Sequence, residues 1–159
     1  METLEKRIRI MRLLTIAMIV NIAVAAYIYI QEKGISIAGD SCFANTSAGL
    51  GSCAQVQSSI FGSLFGVPVS IYGVIAFAFM ALASWSYGHS LRHGKPIPHI
   101  EHAEFERYLS MAFILGAIFA AIFIILQFTV IGAICEYCLI TDSITIVSAA
   151  LFIVTFKRR

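Results

Sequence analysis

Four cysteines stand in this 159-residue chain, at Cys42, Cys53, Cys135 and Cys138. A thiolate that attacks a disulfide moves two electrons in one exchange, so two dithiol pairs in one chain are the makings of an electron relay. Cys135 and Cys138 form a C-x-x-C, whereas Cys42 and Cys53 are ten residues apart in a stretch rich in Gly, Ser and Ala. Such a stretch reads as mobile rather than rigid. Four cysteines allow three pairings, and three chemistries compete: exchange between two pairs, two structural disulfides in a non-catalytic membrane scaffold, or one zinc ion held by all four. Ten residues is a wide spacing for a zinc knuckle, and a bridge within a C-x-x-C is strained and easily reduced. Exchange is the chemistry that these spacings favour, and no metal is expected.

The elements that must position these thiols are set by composition. Apolar residues make up 59% of the chain and charged residues 13%, against roughly 25% charged in soluble domains, and mean hydropathy is +0.87. So few charges exclude a water-soluble enzyme and a disordered chain. The uncharged runs are Leu13–Ile30 (18 residues), 41–91 with its densest apolar part at Val67–Trp85, and Tyr108–Ile134 (27 residues). A last run, Ser143–Phe156, reaches 19 residues when extended back through Asp142 to Cys138. About 20 apolar residues span a bilayer, and no alternating pattern suggests a barrel. We therefore expect an all-α membrane protein: a four-helix bundle forming a single domain over 1–159, with spans at about 10–30, 64–87, 108–131 and 138–156. Leu13–Ile30 is longer than a signal core and its small residues lie inside the run, so it reads as a retained helix.

Ten of the eleven basic residues fall in the amino-terminal segment, the 86–107 connection or the tail, and only Lys33 falls elsewhere. By the positive-inside rule both termini and the 86–107 connection are expected in the cytoplasm. The 31–66 connection and the 131–138 turn then face outside, and all four cysteines fall on that side, where disulfides persist. Counting back from Lys157 at about 1.5 Å per residue puts Cys138 roughly 28 Å up the last helix, at the edge of a hydrocarbon core about 30 Å thick. Cys135, a turn higher, meets the positive end of a helix dipole that favours the thiolate, with Glu136 opposing it. A dithiol placed there has access both to a loop disulfide in water and to a lipid-soluble electron carrier.

Around that position several side chains could serve a quinone. Asp142 lies one turn beyond Cys138 on the same face and could relay protons, or simply reach water. Gln127 could bond a quinone carbonyl or a neighbouring helix, and Ile131, a turn further out, could line the same pocket or meet lipid. Phe61, Phe65, Tyr72 and Tyr137 could pack on a ring or belong to the core. Trp85 and Tyr87 read as markers of the cytoplasmic interface. His89, His93, His99 and His102 beside Glu101, Glu104 and Glu106 read as a solvated loop and helix start, not a metal site. Asn45-Thr46-Ser47 is a glycosylation sequon on the outer side.

The order of two loop cysteines followed by a helix that opens with C-x-x-C resembles the vitamin K epoxide reductase family in its microbial form. The resemblance rests on Cys53–Gly73 (C-A-Q-V-Q-S-S-I-F-G-S-L-F-G-V-P-V-S-I-Y-G) and Ala133–Leu139 (A-I-C-E-Y-C-L), and extends over residues 10–156. Ser59 stands six positions after the second loop cysteine, where family members carry Ser or Thr, and Gly66-Val67-Pro68 matches the G-x-P at the second helix. The resemblance implies a four-helix bundle around a quinone of ubiquinone, menaquinone or vitamin K type, capped outside by the loop and a half-helix that includes Ser59. It implies that Cys42 exchanges with a thioredoxin-fold partner, that Cys53 passes electrons to Cys135, and that Cys138 faces the quinone. Microbial members oxidise the partner and so form disulfides in exported proteins, which implies a prokaryotic inner membrane. Animal members reduce vitamin K and its epoxide. The loop pair is more widely spaced than in many members, and Asp142 stands where animal members have Tyr. Only Lys157-Arg158-Arg159 follow Phe156, so the partner is expected to be a separate chain; nucleic acid is not expected.

Overall fold

The computed structural model describes residues 2–32, 56–57, 59–94 and 101–156. Four helices form its body: α1 (Glu2–Glu32), α2 (Val69–His93), α3 (His102–Leu126) and α4 (Glu136–Phe156). A π-helical turn, Gln127–Ile131, continues α3, and two short strands, β1 (Ser63–Leu64) and β2 (Val67–Pro68), precede α2. All four helices are long and apolar enough to cross a membrane.

Side-chain contacts fix their directions. The Arg7 guanidinium lies 4.8 Å from the centre of the Phe156 ring, Asn21 bonds to Thr141 and Thr145, and the Tyr27 and Tyr137 rings are 5.2 Å apart. As numbering rises along α1 it falls along α4, so the two are antiparallel. Gly88 faces Met11 and Gly73 faces Ala25, so α2 also runs against α1. A Cβ at Gly88 would stand 3.0 Å from the Met11 Cβ; the missing side chain lets these two backbones approach, as small residues do between membrane helices. The most extensive interfaces are α1 on α2, α3 on α4 and α1 on α4, whereas α2 and α3 touch little. One end of the bundle thus holds the start of α1 and the end of α4. The opposite, cysteine end holds the end of α1, the strands, the π turn and the start of α4.

The apolar core fills the half away from the cysteines: Met11, Leu14, Met18, Tyr87, Phe113 and Phe152 are fully buried there. Outward faces carry exposed Ile16, Ile75, Phe79, Ile118, Ile122 and Val154. In water such a surface would drive association, but hydrocarbon is as apolar as these side chains. The four apolar helices with apolar outer faces fit a multi-pass membrane protein.

The structure refines the sequence reading at three places. The second span does not begin at about 64. Phe65 (φ 53°) and Gly66 (φ 78°) are both left-handed, the geometry of a two-residue type I′ hairpin turn, with Leu64 opposite Val67. α2 starts only after Pro68, at φ −52° and ψ 135°, because a residue held in that extended basin cannot be helical. Residues 56–57 are helical and Ser59 stands at the turn that follows them: its N–H and Oγ donate to the Val56 carbonyl at 3.3 and 2.7 Å, and its carbonyl accepts the Gly62 N–H at 2.9 Å. Gly62 is obligatory there, since a Cβ would fall 2.0 Å from the Gln57 carbonyl oxygen. Finally, Trp85 faces outward, but Tyr87 is 1% exposed. It stacks on Phe105 and donates its hydroxyl to Glu106 Oε2 at 3.0 Å, so it closes the core rather than marking the interface.

Candidate active site

Cys135 and Cys138 are joined by a disulfide, with their Cα atoms 5.2 Å apart. The position follows from how α3 ends and α4 begins. The π turn widens the last turn of α3, Gly132 leaves it in the left-handed conformation at φ 63°, and the chain reaches α4 in four residues. Cys135 is the residue before the helix. Its carbonyl accepts the Leu139 N–H at 2.9 Å, the first bond of α4. Its Sγ accepts the Cys138 N–H at 3.3 Å, so sulfur stands where a capping oxygen ordinarily does. This atom faces the positive end of the α4 dipole, which stabilises negative charge on sulfur once the bridge opens.

Gln127 holds the turn from below. It is buried, and its Oε1 accepts the Cys135 backbone N–H at 2.9 Å. The sequence offered this amide a quinone carbonyl or a neighbouring helix; the bond observed runs to the backbone that leads into α4. Below Cys138 runs a column of hydroxyls. Thr141 Oγ1 donates to the Cys138 carbonyl at 2.8 Å, and Thr145 Oγ1 donates to the Thr141 carbonyl at 2.7 Å. Asn21 reaches this column from α1, its Nδ2 donating to Thr145 Oγ1 at 3.0 Å and to the Thr141 carbonyl at 3.3 Å. Asn21 Oδ1 and Asp142 Oδ2 are buried and accept no hydrogen bond among the described residues. The cysteine end therefore has a polar interior, in contrast to the apolar half.

The two cysteines of the bridge differ in access: Cys135 is 0% exposed, and Cys138 is half-buried. Asp142 is half-buried one turn below Cys138, and Ile131 is half-buried at the end of the π turn. Ser59 lies in the turn before the hairpin. Cys42 and Cys53, the sequon at Asn45 and His99 lie outside the described residues. Phe65 is 92% exposed at the hairpin tip. Tyr72 donates to the Leu64 carbonyl at 3.3 Å and fastens the hairpin to α2. Tyr137 packs on Tyr27 instead. His89 lies between Trp85 and His93 on α2, and among the described residues no group of three metal-ligating side chains converges.

Asn21, Thr141 and Thr145 were not anticipated as site residues. Their signal was present: Asn21 is the only amide in Leu13–Ile30, and an amide inside a span needs a partner on another helix. Thr141 and Thr145 share the helical face of Cys138 at spacings of three and seven.

No individual curated protein matches this chain. A model of the vitamin K epoxide reductase family matches residues 12–156, taking in α1 from Arg12 onward, the other three helices, both C-x-x-C cysteines and both loop cysteines. With a bridged C-x-x-C opening the fourth of four membrane-spanning helices and that match over nearly its whole length, the chain belongs to the vitamin K epoxide reductase family.

Proposed function

We propose that this protein is a membrane thiol–disulfide oxidoreductase that couples oxidation of a separate thioredoxin-fold partner to reduction of a quinone, and so supports disulfide formation in exported proteins. Family members are oxidoreductases that act with quinones. The observation that carries the reading is the Cys135–Cys138 bridge at the amino terminus of a membrane-spanning helix, above a polar interior.

The residues at this end suit a quinone. Asn21 Oδ1 and Asp142 Oδ2 are buried oxygens lacking a partner among the described residues; a protonated Asp142 carboxyl can donate to a quinone carbonyl, and Asn21 Oδ1 can accept from the hydroxyl of the quinol. A quinone, when bound, supplies a two-electron, two-proton acceptor. Ser59, Ile131 and Asp142 would hold it, with Asp142 carrying a proton at its carboxyl.

The chain's own steps balance as follows. A partner thiolate attacks the Cys42–Cys53 disulfide; the partner leaves oxidised and both loop thiols are reduced. Cys53 Sγ attacks Cys135 Sγ, the Cys135–Cys138 bond breaks, and Cys138 leaves as a thiolate. Cys42 then attacks Cys53 in the mixed disulfide, restoring the loop bridge and leaving Cys135 and Cys138 as a dithiol. Re-closure of that pair passes the two electrons on. Because Cys135 is fully buried, attack on it by Cys53 requires the 132–135 segment to open, and Gly132 supplies the backbone freedom.

A Cys42→Ala variant, prepared with the Cys135–Cys138 bridge oxidised, tests the sequence of steps: Cys53 can open that bridge, and no loop thiol is left to resolve the mixed disulfide. Peptide mapping without reduction is expected to find Cys53 linked to Cys135. A link from Cys53 to Cys138, or none at all, would contradict the assignment.

A further inference from the structure

At the end of the bundle remote from the cysteines, a cavity of about 320 Å³ opens between the first turns of α1 and the last turn of α2. It is lined by Glu5, Ile8, Arg9, Arg12 and Arg92. Three guanidinium groups against one carboxylate leave this cavity with a formal charge of +2. Among the described residues, no ion pair involves Arg9, Arg12 or Arg92. Arg7, one residue from this group, is engaged on the Phe156 ring.

Helix stability does not explain the arrangement. Cations in the early turns of α1 oppose its dipole, and like charges brought together repel. Retention of positive charge on one side of a membrane does not explain it either, because that requires only a side and not convergence on a cavity. An anion explains both. Guanidinium forks match phosphate oxygens in a bidentate way.

The surface beside the cavity indicates which phosphate. Leu13, Ile16 and Val20 follow Arg9 at spacings of four, seven and eleven, on one helical face, and all three are exposed. Exposed Trp85 lies two turns before Arg92 on α2. Basic side chains thus stand at the head of an outward apolar strip, the profile of a phospholipid: anionic headgroup at the boundary, acyl chain along the helix.

We propose that this cavity binds the phosphate of an anionic phospholipid, with an acyl chain lying along Leu13, Ile16 and Val20. The test is native mass spectrometry of the full chain in detergent, titrated with phosphatidylglycerol or phosphatidylcholine, each with and without inorganic phosphate. Wild type is expected to retain one phosphatidylglycerol at least about tenfold more tightly than phosphatidylcholine, because the arginines attract the anionic headgroup. Arg9→Gln/Arg12→Gln/Arg92→Gln is expected to lose that preference, and a Lys6→Gln/Arg107→Gln control to keep it. Single Arg12→Gln and Arg92→Gln variants, each expected to weaken retention severalfold, decide the matter if the triple variant does not fold. Equal retention by wild type and the Arg variants would overturn the proposal. So would displacement by millimolar inorganic phosphate, which would mark a site for a free anion and not for a lipid.

Discussion

Two amides near the disulfide do unequal work, and their hydrogen bonds show why. Gln127 Oε1 is the acceptor for the buried Cys135 N–H, a donor that precedes the helix and has no ladder partner. Gln127→Leu would leave it unpaired, at a cost of about 1–3 kcal/mol, and loosen the turn that presents the disulfide. Thermal unfolding in detergent should register the loss, and an unchanged midpoint would show that the bond does not hold the turn. Asn21→Leu is a contrasting case. The Thr141 carbonyl keeps its bond from Thr145 Oγ1 without Asn21, and bonds between membrane helices average only about 0.6 kcal/mol. A midpoint shift well below that of Gln127→Leu is expected; a larger one would show that the Thr column depends on α1. The cysteines were legible in sequence because spacing and charge-free surroundings both single them out. Gln127 was legible as a polar residue in a span but not in its role, because a π turn and a left-handed glycine decide where its side chain meets the chain again.

At the scale of elements, the hairpin before α2 and the seam between α1 and α2 make opposite demands on side chains. Phe65 holds a positive φ with its ring exposed, a conformation that costs an ordinary residue about 1–2 kcal/mol. Phe65→Asn places a residue favoured in type I′ turns before Gly66 and should raise the unfolding midpoint or slow exchange of the Val67 amide. Destabilisation instead would mean that the ring is held by a contact worth more than the strain. Gly88→Leu acts the other way. Even a Cβ there stands 3.0 Å from the Met11 Cβ, and overpacking typically costs about 1–3 kcal/mol. A lowered midpoint should follow, and wild-type stability would show that α1 and α2 can separate without loss. The hairpin was hidden in sequence because Leu64-Phe65-Gly66-Val67-Pro68 is apolar and merges with the span behind it. Only the Phe-Gly pair and Pro68 mark the break, and they were read as a helix start. The four spans themselves were plain, since long runs without charge leave a chain in lipid no other way to satisfy its backbone.

At the scale of the whole molecule, the bundle divides into an apolar half that holds it together and a polar half that bears the Cys135–Cys138 bridge. The proposed topology, with the cysteine end outside and the 86–107 connection in the cytoplasm, has a direct check. In a background without native cysteines, an impermeant maleimide added to intact cells should label Ile60→Cys and spare Arg107→Cys until the membrane is opened; the reverse pattern would invert the topology. The inward turn of Tyr87 shows what whole-molecule packing adds to composition: an aromatic near a span end reads as an interface marker until Glu106 and Phe105 are seen to enclose it. The central claim is that electrons pass from a thiol partner through Cys138 to a quinone. Its most direct test follows quinone absorbance with purified protein, a reduced thioredoxin-fold partner and a short-chain quinone, comparing wild type with Cys138→Ala and Cys42→Ala. Quinone consumption matched by oxidation of the partner in wild type, and abolished in both variants that still fold, is the predicted result. No consumption by a folded wild type, with all four cysteines paired and inert, would contradict it.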